Sequence, residues 1–186
     1  MKKIAVLLAN GFEEIEALTV VDVLRRANEH CDLVSIEDID VVGGHNIKVT
    51  ADTRLTNEIK EYDMIVLPGG VTGSRNLQNS SKVIDLVKYF NENNKFIAAI
   101  CAAPIILKTA DIIEGKNITS YPGYEDELQG ANYIETEDVI VDGNIITSRG
   151  PATTLSFSFE LLKILGNDSY IKLKEGMQYN FLMRDK

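Results

Sequence analysis

The stretch of sequence that decides the fold reads FIAAICAAP, residues 96–104. Its first five residues are all apolar, which is typical of a strand buried on both faces of a parallel sheet. Its last residue, Pro104, suits the first turn of a helix. The chain therefore passes from strand to helix within a few residues, and Cys101 occupies the junction.

The same change from apolar run to helical pattern recurs along the rest of the chain. Strands are predicted over residues 3–9, 31–36, 64–67, 96–100 and 118–120, and helices over residues 13–28, 82–93, 104–110, 152–165 and after residue 169. Hairpins are predicted over residues 41–50 and 139–147, with Gly43, Gly44 and Gly143 in their turns. This alternation predicts a doubly wound α/β fold, in which helices sandwich a parallel sheet and sites form at the carboxyl ends of its strands.

The first predicted helix, residues 13–28, is apolar on more than one face. One of these faces can pack against the sheet. The pattern leaves another apolar face for a second partner, and another subunit is one candidate.

Length and charge limit the classes of function open to this chain. Its 186 residues suit a single domain, 1–186, of ordinary globular composition. The net charge of −9 argues against a nucleic acid or an anionic membrane surface as partner. Apolar runs are too short for a membrane span or a signal peptide, and two distant cysteines indicate a reducing, cytoplasmic setting. Two histidines without a zinc-binding pattern give little support to a metal site, so no metal or cofactor is expected.

Cys101 is the strongest candidate for a reactive residue. The N-terminus of the following helix would lower the pKa of a thiol at this junction and favour the nucleophilic thiolate. Backbone amides after such a residue can form an oxyanion hole. A small buried apolar residue is the alternative for any free cysteine. The junction favours the reactive interpretation for Cys101, whereas Cys31, at the start of a strand, is expected to be merely buried.

Two other predicted strand ends carry acidic or glycine-rich residues. Glu13, Glu14 and Glu16 follow the first strand, where they complement the helix dipole. One of them could instead reach a neighbouring strand end as an acid or base, although spacing alone favours the dipole role. Gly69 and Gly70 end the third strand and would let backbone amides approach an anion closely, which is weak evidence because such pairs are common.

Five blocks of sequence together resemble the ThiJ/PfpI superfamily, in its DJ-one branch. Each block is short, but five blocks in this order with similar gaps are hard to obtain by chance, and they span nearly the whole chain. The blocks are NGFEEIE at residues 10–16, VDVLRRA at 21–27, VLPGG at 66–70, AAICAAP at 98–104 and TSRGP at 147–151.

The resemblance implies a flavodoxin-like homodimer without a cofactor, in which Cys101 lies on a nucleophile elbow. In the family, the carboxyl group that matches Glu16 is protonated and hydrogen-bonds the cysteine sulfur, which assigns Glu16 to the site against the expectation from spacing. Gly69, Gly70 and Ala102 would frame an oxyanion pocket. The implied activities are conversion of methylglyoxal to lactate, repair of glycated groups, chaperone action and oxidation sensing.

Two positions depart from the family pattern. Ala102 stands where the peptidase branch has a histidine beside the cysteine, so a cysteine peptidase or amidase is the least favoured interpretation. Tyr121 stands where the DJ-one branch often has a histidine near the pocket, and a phenol is a poor base near neutral pH. His45, expected in a hairpin loop, is more consistent with a solvated residue than with a pocket residue contributed across a dimer contact.

The sequence therefore leaves two main hypotheses. In the first, an enzyme of the glyoxalase or deglycase type attacks small reactive carbonyl compounds through a Cys101 thiolate, and Glu16 moves the proton. In the second, the chain is a non-enzymatic redox sensor or chaperone that works through oxidation of Cys101. Both hypotheses use the same sulfur and the same carboxyl group, so the sequence does not rank them firmly.

Overall fold

A parallel sheet with helices on both faces organises the chain. The computed structural model describes residues 1–184; Asp185 and Lys186, which belong to the predicted single domain, lie outside the described residues. The strands are β1 (Lys3–Leu8), β2 (His30–Ser35), β3 (Asp40–Val42), β4 (Lys48–Thr50), β5 (Thr53–Arg54), β6 (Met64–Leu67), β7 (Phe96–Ile100), β8 (Asn117–Ile118), β9 (Asn132–Tyr133), β10 (Val139–Asp142) and β11 (Ile145–Ser148). The helices are α1 (Glu14–Arg26), α2 (Val71–Gln78), α3 (Ser81–Glu92), α4 (Pro104–Thr109), α5 (Thr154–Ile164), α6 (Tyr170–Gly176) and α7 (Tyr179–Met183).

The strand order places β1 beside the topological switch point of the main sheet. Within residues 1–184 this sheet has seven strands in the order β10-β11-β7-β6-β1-β2-β5, and the antiparallel member is β10. The chain runs outward from β1 to β2 and then returns to β6 on the other side of β1. Ligand sites of such sheets form at the carboxyl ends of the strands next to this reversal. The segments that follow β1, β6 and β7 meet at that edge.

Alternating side chains of each strand fill two cores, one on each face of the sheet. Ile4, Val6 and Leu8 of β1 pack with α1 and α5, whereas Ala5 and Leu7 pack on the other face with α3 and α4. Burial on both faces explains why the strands read as continuous apolar runs. The alternation predicted from the sequence, and with it the doubly wound α/β class, is confirmed.

Several elements escaped the sequence prediction. Helix α2 has the sequence VTGSRNLQ, in which Leu77 is the large apolar side chain that becomes buried, so no helical period is visible. The two-residue strands β5 and β9 are too short to show an alternation. The single predicted helix after residue 169 is two helices, because Gln178 adopts a left-handed φ of 60° between α6 and α7. None of the helices found in residues 1–184 has the length and apolar character that a membrane crossing needs.

The first predicted hairpin is present as β3 and β4, but its glycines act differently from the expectation. The positive φ of the turn, 62°, belongs to Asn46. Gly43 instead allows a close approach, since a Cβ on it would lie 2.7 Å from Cγ of Glu14. In the second hairpin, β10 and β11, Gly143 does adopt the predicted positive φ, 64°.

Candidate active site

Cys101 lies on a sharp turn between β7 and α4. Its φ of 64° is in the left-handed region, which is strained for a residue with a Cβ. Its N–H donates to the carbonyl oxygen of Ser148 (3.0 Å), and its own carbonyl oxygen accepts from the N–H of Tyr121 (2.9 Å). These bonds to neighbouring segments hold the strained turn, which has the strand–turn–helix geometry of a nucleophile elbow.

Glu16 lies next to the Cys101 sulfur, in the first turn of α1. Its side chain is fully buried, and Oε2 accepts a 2.7 Å hydrogen bond from the N–H of Gly69. A Cβ on Gly69 would lie 2.5 Å from this Oε2 and 2.6 Å from Cβ of Cys101, so the end of β6 fits there only as glycine. Within residues 1–184, Oε1 has no hydrogen-bond partner, although the carboxyl group as a whole interacts with the Cys101 thiol.

Burial controls the protonation of Glu16. Loss of solvation raises the pKa of Glu16 to about 7, although hydrogen bonds from Gly69 and Cys101 oppose the rise. A carboxyl group in this setting keeps its proton in a large fraction of molecules at neutral pH. This agrees with the protonated role that the family resemblance implied.

The thiol of Cys101 is not acidified by its position alone. Burial and the Glu16 carboxylate raise the pKa of Cys101 to about 12, whereas hydrogen bonds from the backbone N–H groups of Ala102 and Gly70 lower it. The prediction that the helix N-terminus makes this thiol acidic is therefore wrong while Glu16 is ionised. The six-residue helix α4 begins three residues beyond the sulfur, and desolvation outweighs its dipole.

The sulfur and the carboxyl group titrate as a pair because they face each other in a buried place. An ionised Glu16 opposes a thiolate, but a protonated Glu16 offers an O–H donor that stabilises one. The pair therefore releases one proton far more easily than two. With the pKa of Glu16 at about 7 and that of Cys101 at about 12, Glu16 loses its proton first, and a thiolate forms more easily where Glu16 keeps its proton.

The sulfur opens into a cavity of about 320 Å³. Its walls are mainly apolar and aromatic, and they come from α2, from the segment after β8 and from the turn after β11: Val71, Tyr121, Pro122, Tyr124 and Pro151. The Tyr121 ring packs over Gly150, where a Cβ would lie 3.2 Å from the ring. The cavity is thus large enough for a small molecule beside the sulfur, and two tyrosines form part of its wall.

Glu13 brings a second carboxylate to the cavity wall. It precedes α1 in an extended conformation, and its N–H donates to the carbonyl oxygen of Gly69 (3.0 Å). Its Oε1 lies 3.7 Å from Nδ1 of His45. Burial raises the pKa of Glu13, and the neighbouring His45 opposes the rise.

Glu13, Glu14 and His45 form a cluster whose ligand atoms all lie within 4.8 Å of one another, close enough to share a cation. Glu14 explains the arrangement without a metal. Its Oε1 accepts from the backbone N–H of His45 (2.8 Å) and of Ile47 (3.4 Å), and its Oε2 lies 2.9 Å from Nδ1 of His45. These bonds tie the β3–β4 turn to the N-terminus of α1, so the cluster has a structural role.

Comparison with known proteins decides the family. The sequence pattern of the DJ-1/PfpI family matches residues 2–164. The chain belongs to the DJ-1/PfpI family. It is 39% identical over 168 residues to protein DJ-1alpha of Drosophila melanogaster, covering 88% of this chain and 77% of that protein. It is 36% identical over 176 residues to protein DJ-1 homolog B of Arabidopsis thaliana, covering 92% of this chain but 40% of that longer protein.

A solved structure of this family confirms the flavodoxin-like fold. The crystal structure of Drosophila melanogaster DJ-1beta superposes with a TM-score of 0.89 at 35% sequence identity. The superposition covers 95% of this chain and 98% of that chain. The resemblance inferred from the five sequence blocks is thereby confirmed at the level of family and fold.

The structure brings together all six residues that the sequence and the resemblance proposed for the site. Glu16, Gly69, Gly70, Ala102 and Tyr121 surround Cys101 or line its cavity. Sequence reasoning left Glu13 as a dipole partner and overlooked the wall residues Val71 and Tyr124. Glu13 lies within the first of the five blocks, residues 10–16, which is a usable signal, but no local pattern marks a wall residue such as Val71 or Tyr124.

Proposed function

We propose that this DJ-1/PfpI protein converts small reactive aldehydes through a Cys101 thiolate paired with Glu16. The supporting observation is the strained cysteine, whose sulfur lies against a fully buried carboxyl group and opens into the cavity. The amides of Ala102 and Gly70, which approach the sulfur, suit the stabilisation of negative charge beside the reacting carbon. A nucleophile and an acid–base partner in contact are the parts that carbonyl chemistry needs.

The reaction begins with attack of the Cys101 sulfur on the aldehyde carbon of an α-oxoaldehyde. A C–S bond forms, the C=O bond opens, and its oxygen takes the proton released by the thiol–carboxyl pair, which gives a hemithioacetal. Transfer of a proton from this carbon to the neighbouring ketone carbon, with passage of the hydroxyl proton to the ketone oxygen, converts the hemithioacetal into a thioester. Hydrolysis of the thioester by water frees the sulfur and releases a 2-hydroxy acid, which is lactate when the substrate is methylglyoxal.

The test is lactate formation from methylglyoxal by purified wild type, Cys101→Ser and Cys31→Ala. Wild type is expected to produce lactate, and Cys101→Ser to lose at least ~100-fold in rate because the nucleophile is gone. Cys31→Ala serves as the matched control and is expected to stay within about threefold, since Cys31 is buried in β2 away from the cavity. Equal lactate formation by wild type and Cys101→Ser would end the proposal.

Sensing of oxidation through Cys101 is a second candidate function, favoured by the donors around the sulfur. The oxygens of a cysteine sulfinate would accept hydrogen bonds from the amides of Ala102 and Gly70 and from a protonated Glu16. Peptide mass spectrometry after mild peroxide treatment is expected to find two added oxygen atoms on Cys101 and none on Cys31. Preferential oxidation of Cys31 would exclude this function.

We further propose that the chain forms a cytoplasmic homodimer through the outer face of α1. Ile15 is 54% exposed on this face, and with Leu18, Leu155 and Met177 it lines an open apolar groove between α1 and α5. The second apolar face predicted for this helix from the sequence corresponds to that groove. Both cysteines are free thiols, which suits a reducing compartment.

A further inference from the structure

The proposed reaction needs a base that reaches two adjacent substrate carbons, and Glu16 is poorly placed for that task. Its side chain is fully buried, and Oε2 is fixed by the N–H of Gly69. The carboxyl group also interacts with the Cys101 thiol, which couples its proton to the sulfur. Glu16 therefore serves the sulfur, and the proton that moves between carbons needs another carrier.

Glu13 is the carboxylate that lines the cavity itself. Its backbone is anchored to Gly69 at the end of β6, which fixes the root of the side chain near the sulfur. Although Glu13 precedes α1, its carboxylate makes no capping hydrogen bond to the described part of the chain. The side chain is 16% exposed, so it is sheltered from bulk water but still open to a ligand in the cavity.

We infer that Glu13 is a catalytic acid–base residue that carries a proton between the two reacting carbons, and that His45 positions it. The inference rests on the proposed aldehyde chemistry and assigns its carbon-to-carbon step to a residue other than Glu16.

The step balances without an added oxidant or reductant. The Glu13 carboxylate takes the proton from the hemithioacetal carbon, and the C–H electron pair forms a C=C bond while the ketone C=O opens to an enediolate. The hydroxyl proton passes to the neighbouring oxygen. Glu13 then returns its proton to the former ketone carbon as the first carbon regains its C=O bond. The product is a thioester of Cys101, and Glu13 is again a carboxylate.

His45 sets the charge of Glu13 from outside the cavity. Its ring is held 2.9 Å from Oε2 of Glu14 and 3.7 Å from Oε1 of Glu13, while its side chain is 69% exposed. When protonated, His45 favours ionised Glu13 and opposes the larger effect of burial on the pKa of Glu13. The titratable groups near Glu13 are His45 from the β3–β4 turn, Glu14 and Glu16 from α1, Cys101 from the elbow, and Tyr121 and Tyr124 across the cavity.

The test compares pH profiles of kcat and KM for methylglyoxal turnover by wild type, Glu13→Gln, Glu13→Asp and His45→Gln. Glu13→Gln is expected to lose ~10²–10⁴-fold in kcat and to keep in its acid limb only the ionisation of the Cys101–Glu16 pair. Glu13→Asp, which keeps a carboxylate on a shorter side chain, is expected to recover the second ionisation with part of the rate. His45→Gln is expected to move that second ionisation to higher pH, because the positive charge that favours ionised Glu13 is gone. The exposed Glu58 supplies the surface control Glu58→Gln, expected to match wild type.

Two further measurements separate the possible failures. Iodoacetamide alkylation of Cys101 is expected to proceed within about threefold of wild type in Glu13→Gln, since Cys101 and Glu16 stay in place and Glu13 is the smallest of the named influences on the pKa of Glu16. This also reports a folded site. Unchanged kcat and pH profile in Glu13→Gln would overturn the inference while leaving the proposed function intact. An unshifted acid limb in His45→Gln would overturn the role of His45. Absence of lactate formation by wild type would overturn the proposed function and the inference together.

Discussion

The two cysteines show that burial alone does not make a site. Burial raises the pKa of Cys31 and of Cys101 to about 12 in each case. Cys31 is 3% exposed inside β2 and packs in the apolar core. Cys101 has an open cavity on one side and the Glu16 carboxyl group on the other. The cavity and the carboxyl group with which its protonation is coupled distinguish Cys101 from Cys31.

The raised pKa of Glu16 predicts a pH dependence of stability. Its carboxyl group has a pKa near 4.5 in the unfolded chain and of about 7 in the folded protein. Between these values the folded state holds more protons than the unfolded state, so the stabilising effect of the raised pKa is complete below pH 4.5 and is lost as the pH rises through 7. The free energy of unfolding of wild type relative to Glu16→Gln is expected to fall by about 3 kcal/mol between those limits.

Urea unfolding of both proteins at several pH values measures this difference. Glu58→Gln, at an exposed position, is the control and is expected to change the free energy of unfolding by less than about 0.5 kcal/mol. A constant difference between wild type and Glu16→Gln across the pH range would show that Glu16 ionises in the folded protein as it does in the unfolded chain.

The carboxyl end of β6 is the element that allows cysteine and carboxyl group to meet. Gly69 occupies the space between them, and Gly70, with a φ of 89°, would place a Cβ 2.7 Å from the backbone nitrogen of Glu13. Neither position tolerates a side chain without movement of α1 or of the elbow. The two glycines at the end of β6 are therefore required for the site to form. The sequence pattern alone gave only weak evidence for this requirement.

Gly69→Ala is expected to lower the free energy of unfolding by about 1–3 kcal/mol, because its Cβ would overlap Oε2 of Glu16 and Cβ of Cys101. Gly176→Ala is the matched control. A Cβ there meets nothing within 4 Å, and the residue ends α6 without a positive φ, so the change is expected to be neutral or to stabilise by up to about 1 kcal/mol. Thermal unfolding of the two variants measures the difference. Equal unfolding midpoints would show that the end of β6 tolerates a side chain at residue 69.

Elements with strong periodicity could be predicted from the sequence, and those without it could not. The buried strands β1, β6 and β7 read as apolar runs because both of their faces are covered. Helix α2 could not be predicted from the sequence. Its buried positions include Gly73 and Ser74, so the large apolar residues that mark a helical period are missing. Spacing gave Glu16 only a helix-dipole role, because its site neighbours come from distant segments, such as Gly69, 53 residues away along the chain.

At the scale of the whole molecule, the sheet assembles the site from segments that follow three parallel strands. Each segment contributes a different part: the carboxylates after β1, the glycine amides after β6 and the sulfur after β7. The order of the strands, which no local pattern contains, is what makes these segments neighbours. The family resemblance supplied what the local pattern lacks, since it implied that Glu16 lies beside the Cys101 sulfur.

The outer face of α1 gives a prediction for the assembly. Analytical ultracentrifugation of wild type is expected to show the mass of two 20.6 kDa chains. In a two-fold dimer each substitution occurs in both subunits, so the double variant Ile15→Glu/Leu18→Glu would bury four new carboxylates in the contact. Asp22 lines the same groove and adds to the repulsion between them. This variant is expected to sediment as a monomer. Val141→Glu, which changes a 44% exposed apolar residue of β10, is expected to remain dimeric. A monomeric wild type, or a dimer that survives both charges on α1, would show that this face is not where two copies meet.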